Sequence, residues 1–264
     1  MTNSYAPTKT VTVPDDVLAV LSQMEWTQHG SETHGAITAQ LDRALYVKTN
    51  KILEQLDGKW NRKAKAHVFQ IDPRPDLGII VENGQLEIVR DGYFPTPLEV
   101  GITMAQMADL EPGIDVLEPS AGTGDLIRAI LELEPSCQVS VIEIDDRRRS
   151  LLRSNGYSII GVDFLTYRGK HSRIIQNPPF ENLQDIDHVR HAYDCLKPGG
   201  ILVSVMSEGP FFRNDRKALD FRAWCASHNS TGVALDASTF NGIRSRLVRV
   251  VKDSDLPEGQ LRLL

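Results

Sequence analysis

From residue 114 onward, short apolar runs alternate with amphipathic stretches at a regular interval. The runs at 114–118, 139–144, 158–162, 173–176 and 201–206 are rich in Val, Ile and Leu, as strands buried on both faces must be. Between them, 124–133, 146–154, 185–196 and 214–228 fit helices, and a further helix is predicted over 98–110. Strands and helices in regular alternation predict an α/β fold with a doubly wound, mostly parallel sheet. The end of the pattern differs. The segments 232–236 and 246–251 are joined without a helix, which predicts a closing hairpin with one antiparallel strand in a seven-stranded sheet.

The stretch before residue 90 lacks this rhythm. Residues 1–35 are polar and interrupted by Pro7, Pro14, Gly30 and Gly35; beyond a short helix start at 15–21 they read as a loose arm. Leu41, Leu45, Ile52, Leu53 and Leu56 then recur at helical spacing until Gly58. Lys59 to Phe69 reads as a basic hairpin whose end aromatics, Trp60 and Phe69, suit either a small core or a surface. A proline-rich stretch follows, and Asn83-Gly84 reads as a hairpin turn ahead of Leu86, Ile88 and Val89. The expected division is an N-terminal arm with a small basic α+β region over 1–90, and the larger domain over 91–264.

Composition narrows the function classes. Hydrophobic content of 41% and charged content of 24% are ordinary for a globular chain, and no apolar run reaches the length of a membrane span. The N-terminus lacks the basic-then-apolar pattern of a signal peptide. Cys137, Cys195 and Cys225 are far apart, with no CxxC spacing, so buried thiols in a cytoplasmic protein are expected. The net charge of −6 disfavours nucleic acid unless a local basic surface receives it. One candidate exists. Residues 43–67 hold seven Lys or Arg against Glu54 and Asp57, with Lys59, Arg62, Lys63 and Lys65 on the hairpin. A phosphate-facing surface and an ordinary solvated face both fit this cluster.

Two motifs carry chemistry. In Glu118-Pro119-Ser120-Ala121-Gly122-Thr123-Gly124-Asp125, between the first strand of the alternating region and its helix, two glycines let the backbone approach a ligand. Glu143, at the end of the next strand, has the spacing of an acid that reads ribose hydroxyls. No third glycine is in register, and the acids Glu118 and Asp125 repel a pyrophosphate but welcome an ammonium or sulfonium. A cationic nucleoside such as S-adenosylmethionine fits better. Asp163-Phe164 can meet an adenine edge and face, or simply start a loop. The second motif is Asn177-Pro178-Pro179-Phe180. Two prolines end the preceding strand and leave a stiff platform with one amide, freed carbonyls and an aromatic ring. An exocyclic amino group can donate to the Asn177 oxygen and the Pro178 carbonyl while Phe180 stacks on its ring. Alone, the motif is also a rigid turn closing a strand.

In this order, FPTP (94–97), EPSAGTGD (118–125), VIEID (141–145), the VDF after the third strand and NPPF (177–180) resemble the amino-group DNA methyltransferases, in particular the N6-adenine type. The resemblance covers roughly 90–252 and implies the class I, Rossmann-like methyltransferase fold with S-adenosylmethionine as cofactor. It implies that Thr96 and Pro97 line the methionine end of the cofactor and that Glu118, with the loop through Pro119, Ser120, Gly122, Gly124 and Asp125, holds its amino-acid portion. Glu143 would take the ribose, Ile144 would pack on adenine, and Asp163 with Phe164 would meet the adenine amino group and ring. Asn177, Pro178, Pro179 and Phe180 would be catalytic, with Phe240 clasping the flipped base. Neither a metal nor a covalent nucleophile is called for. The 1–90 region resembles segments that precede such domains in phage and mobile-element proteins, a context that includes restriction-modification. No insertion has the size of a target-recognition domain, so a short or relaxed target is expected. The same motif serves RNA guanine N2 and protein glutamine N5 methylation, and a silent DNA-binding protein on this fold is the alternative from another class. Cytosine N4 transfer fits less well, because those enzymes usually begin the motif with Ser or Asp.

Overall fold

The computed structural model describes residues 8–30, 32–89, 94–237, 239–240 and 242–254. The chain divides into two compact units, Met1–Asp91 and Gly92–Leu264.

The first unit contains β1 (Thr8–Thr12), α1 (Asp15–Ser22), β2 (Glu25–His29), β3 (Glu32–Ala36), α2 (Arg43–Gln55), β4 (Lys59–Asn61), β5 (Ala66–Phe69), α3 (Arg74–Asn83) and β6 (Gln85–Val89). Strands β2-β3-β5-β4 form an antiparallel sheet, while β1 pairs antiparallel with β6. Val17, Leu21, Ile52, Leu53, Leu56, Phe69, Leu77 and Ile80 are the buried centre. Two expectations are corrected. The stretch from Glu25 to Ala36 is a strand pair, not a loose arm: β2 exposes most of its residues, so it has little apolar signal. Asn83-Gly84 is not a hairpin turn. Asn83 ends α3, Gly84 caps it at φ +67°, and β6 finds its partner in the distant β1. The basic hairpin does form, with Lys59 opposite Val68 and Trp60 opposite His67. Phe69 enters the core and Trp60 stays 48% exposed, so the two aromatics part company.

The second unit runs α4 (Leu98–Met107), β7 (Asp115–Glu118), α5 (Asp125–Leu133), β8 (Gln138–Ile142), α6 (Asp146–Ser154), β9 (Ser158–Gly161), β10 (His171–Gln176), α7 (Gln184–Asp194), β11 (Leu196–Ser207), α8 (Gly209–Phe212), α9 (Arg216–Ser227), β12 (Thr231–Ala234) and β13 (Ser245–Val251). Among the described residues it holds one seven-stranded sheet in the order β12-β13-β11-β10-β7-β8-β9. All neighbours are parallel except those of β13, which runs antiparallel to both β11 and β12. Alternating strand residues feed two cores. Ile174, Leu202 and Val248 pack with Ile186 and Val189 of α7 and Phe221 of α9. Ile175, Val203 and Leu247 pack with Val100 and Met104 of α4 and Leu126 and Ile130 of α5. A Cβ on Gly101 would lie 2.7 Å from the Ala129 Cβ, so glycine there lets α4 and α5 approach closely. The consequence for function is positional. β7 sits between β8 and β10, so the loops after β7 and β10 leave on either side of the point where strand order reverses, where open α/β sheets bind ligands.

Candidate active site

The loop after β7 is built for close approach. Gly122 and Gly124 take φ of +55° and +89°, the left-handed region that other residues adopt only with strain. Gly124 caps the start of α5, and Asp125 follows as its first residue. Asp125 accepts from the Thr123 hydroxyl at 2.9 Å and pairs with Arg128. Ser120 is half-buried beside buried Pro119.

Glu118 ends β7 and is 2% exposed. Among the described residues its Oε2 is buried without a hydrogen-bond partner. Burial, with the negative charges of Asp125 and Glu143 adding to it, pushes its carboxyl well above the usual carboxylate range; a backbone hydrogen bond from Ile127 opposes this weakly. Among the described residues no cation pairs with this acid. Glu143, 4% exposed, ties the loop to the second strand: Oε2 accepts from the Gly122 N–H at 2.7 Å and Oε1 from the Asp145 N–H at 2.8 Å, with Arg148 at 3.8 Å. This bracing role was not read from the sequence. A carboxylate has about four acceptor positions, so bracing and a ribose contact are compatible. Ile144 beside it is half-buried.

On the other side of the switch point, β10 stops at Gln176 and Asn177 leads the proline pair. The Asn177 Nδ2 donates to the Phe94 carbonyl at 3.0 Å and to the Thr96 hydroxyl at 3.1 Å. A carbonyl can only accept, so the amide orientation is fixed: both N–H groups are used and Oδ1 faces away from them. Among the described residues nothing donates to that oxygen. Phe180 lies nearly parallel to Phe94, with centroids 6.4 Å apart and planes 14° from coincidence. Pro178 is buried, and Pro179 and Phe180 are half-buried. Thr96 is 8% exposed, and Pro97 caps α4. Phe94 thus supports both the amide and the ring, a role not read from the sequence although it opens the FPTP run.

The far end of the motif is anchored too. Asn182 and Leu183 both take left-handed φ, +54° and +57°, so the chain reverses sharply before α7. Asp185, fully buried in the first turn of α7, accepts from Ser207 N at 3.0 Å and Ser207 Oγ at 2.8 Å, which holds α7 to the end of β11. Burial raises its carboxyl; the Ser207 bonds oppose that shift. Nothing in the pattern around Asp185 singles it out, because its partner lies on a distant strand.

Two expected contacts are corrected. Phe164 is 3% exposed and packs on His188 and His191, with centroids 5.6 and 4.8 Å away. Its face belongs to the core, and only Asp163 stays at the surface, half-buried, with Oδ1 accepting from Leu165 N at 2.9 Å. Phe240 is likewise 3% exposed within the core beneath α4 and α5, so it presents no face to a base in this arrangement. A depression of about 600 Å3 opens instead beyond β11, lined by Glu208, Phe212, Leu235, Asp236, Arg244 and Arg246. Arg246 there is held bidentately by Glu208 and covers the Phe211 ring at 3.9 Å, and Arg249 pairs with Asp109 at 2.6 Å. In the first unit Lys59, Arg62, Lys63 and Lys65 are all exposed.

Comparison with known proteins identifies the fold. A putative class I S-adenosylmethionine-dependent methyltransferase from Listeria monocytogenes matches over 85% of this chain and 79% of its own, with a TM-score of 0.53 and 15% identity. The chain has the class I methyltransferase fold. The methyltransferase subunit of a type I restriction-modification system from Streptococcus thermophilus shares this class I fold, matching 63% of the chain and 46% of its own with a TM-score of 0.53 and 16% identity. In sequence, the chain is 34% identical over 93 residues to the type II methyltransferase M.CvrRI of Paramecium bursaria Chlorella virus XZ-6E, covering 34% of this chain. It is 36% identical over 75 residues to the modification methylase CviBIII of Paramecium bursaria Chlorella virus NC1A, covering 26% of this chain. The matched stretches span 24% and 20% of the length of those two curated relatives. No protein-family model matches. Over the matched stretches the chain resembles a type II methyltransferase and a modification methylase. The cofactor this class I fold implies is S-adenosylmethionine, and the residues present fit it: the unpartnered buried Glu118 oxygen is suited to its ammonium, and the left-handed glycines keep the adjoining loop without side chains.

Proposed function

We propose that this chain transfers the methyl group of S-adenosylmethionine to N6 of adenine in DNA. The observation that carries the reading is the Asn177 amide, whose N–H groups are spent on Phe94 and Thr96 so that its oxygen is left to accept. When bound, the cofactor supplies an electrophilic methyl group. Asn177 Oδ1 and the Pro178 carbonyl accept the two amino hydrogens of an extruded adenine, and Phe180, backed by Phe94, stacks on its ring. With both hydrogens held, the nitrogen lone pair points away from the two acceptors. Positioning of this kind, together with hydrogen-bond polarisation, is the main source of acceleration. Glu118 holds the cofactor ammonium, aided by the loop through Pro119, Ser120, Gly122, Gly124 and Asp125. Thr96 and Pro97 line the methionine end, Glu143 takes the ribose, Ile144 packs on the cofactor adenine, and Asp163 accepts from its amino group.

Lys59, Arg62, Lys63 and Lys65 suit phosphates rather than base edges, so we assign the chain by itself a short or relaxed target of at most a few base pairs. The test is partition of label. With methyl-labelled cofactor and DNA, RNA and protein offered in parallel, label should enter DNA. Label confined to RNA or protein would overturn the substrate assignment while leaving the Asn177 chemistry in place.

A further inference from the structure

The first unit carries an aromatic notch that the methyl-transfer site does not use. Ile37, Ala39 and Leu41, on the segment after β3, line it with Arg43 and Tyr46 of α2 and Trp60 of β4, enclosing about 360 Å3. Trp60 packs against Tyr46 at 89° and 6.5 Å and against His67 at 61° and 5.2 Å. His67 is itself held by Asn50 at 2.7 Å, and burial lowers its pKa, so it is a neutral support. Even so, 48% of Trp60 remains exposed on a strand at the edge of its sheet. Beside Ile37, Leu41 and Tyr46, the half-exposed indole gives the notch an apolar lining that a flat ring can cover.

The surroundings say what covers it. Arg43 lines the notch, Lys59 precedes Trp60 in β4, and Arg62, Lys63 and Lys65 form the hairpin tip next to it. The tip is closed by the Asn61 side-chain oxygen, which accepts from the N–H groups of Lys63 and Ala64 at 3.0 Å each. Among the described residues none of these five cations makes an ion pair; nearby Lys48 does, with Asp16 at 3.3 Å. In a chain with 35 acids and 29 Lys or Arg, a row of unpaired cations beside an open indole is complementary to one kind of ligand: a polyanion carrying flat rings.

We infer that the notch is a nucleobase-stacking site, in which Trp60 receives an unpaired base of a nucleic-acid strand whose phosphates lie along Arg43, Lys59, Arg62, Lys63 and Lys65. The inference deepens the proposed function, and takes from it only that the strand is DNA. Stacking on an indole is sequence-tolerant, because every base has a π face, and so it agrees with a relaxed target.

The test is fluorescence anisotropy of the full chain, without cofactor, on a labelled single strand, a paired duplex and a duplex with one unpaired base, over a range of salt. The single strand and the bulged duplex should bind more tightly than the paired duplex. Trp60→Ala should remove that preference, weakening single-strand binding roughly five- to 150-fold with the salt slope unchanged, and Trp60→Phe should restore most of it. Replacing Arg62, Lys63 and Lys65 by Ala should flatten the slope by about 0.7 per lost phosphate contact. Unchanged binding by a folded Trp60→Ala variant would overturn the inference. So would Trp60-dependent binding to vesicles of anionic lipid that rivals binding to the oligonucleotide. Methyl transfer is not read in this assay: binding through Trp60 without transfer to DNA would sink the proposed function alone, and transfer with a neutral Trp60→Ala would sink the notch alone.

Discussion

Glu118→Gln separates what the bare protein wants from what its ligand wants. In the chain alone, the Glu118 carboxyl is 2% exposed, one oxygen has no partner, and Asp125 and Glu143 add negative charge. A neutral amide of the same shape removes the charge that burial opposes. The amide still leaves a polar atom unpartnered, but it removes the cost of ionising a buried carboxyl beside two other acids, so the variant should be more stable than the wild type near neutral pH, the reverse of most buried substitutions. The sign follows from the raised pKa. A carboxyl raised in the folded state contributes stability below its unfolded pKa and loses it as pH rises through the folded value, so the variant's advantage should vanish in acid. Cofactor binding should move the other way. Losing a charge-assisted hydrogen bond to the ammonium costs about 1.5–3 kcal/mol, roughly ten- to 150-fold in affinity. Urea unfolding of the bare protein and calorimetric titration with cofactor read the two effects separately. A variant that is less stable and binds cofactor normally would refute the reasoning, because Glu118 would then be a satisfied structural acid.

Three other outcomes follow from the same contacts. Glu143→Ala strands the Gly122 and Asp145 N–H groups, so it should cost about 2 kcal/mol or more of stability as well as about tenfold or more in cofactor affinity; an unchanged urea midpoint would exclude the bracing role. Asp185→Asn should slow turnover with cofactor affinity little changed, because it loosens the anchor behind the Asn177 motif; equal losses in both would mean a general effect on the fold. Burial holds His188 neutral, with its pKa lowered to about 4, opposed by Asp187 and reinforced by His191. The corresponding stability is present above the unfolded value near 6.5 and lost as pH falls toward 4, by up to about 3 kcal/mol. Denaturant midpoints between pH 7 and pH 4.5 should fall less steeply in His188→Phe, and identical slopes would remove His188 from the acid response.

The parts legible in the sequence are those whose physics is local. Parallel strands buried on both faces announce themselves as continuous apolar runs, and so β10 and β11 stand out. The NPPF and EPSAGTGD motifs are legible because proline and glycine act on the backbone at their own positions. What was hidden depends on distance or direction. β1 pairs with β6 across most of the first unit, and β2 turns mostly polar residues to solvent, so neither carries a period of its own. The Phe94 carbonyl meets Asn177 across 83 positions. Phe164 and Phe240 occupy expected places in the order of motifs, yet their rings point into the core, and side-chain direction is set by packing rather than by order.

The central claim is that the Asn177 oxygen orients an adenine amino group for methyl transfer. It is tested most directly by hydrolysing unmethylated DNA to nucleosides after incubation with deuterium-labelled cofactor and weighing the products. The wild type should yield labelled N6-methyldeoxyadenosine, and Asn177→Ala should yield none while binding cofactor with nearly native affinity. Label on cytosine, or near-normal adenine methylation by Asn177→Ala, would contradict it.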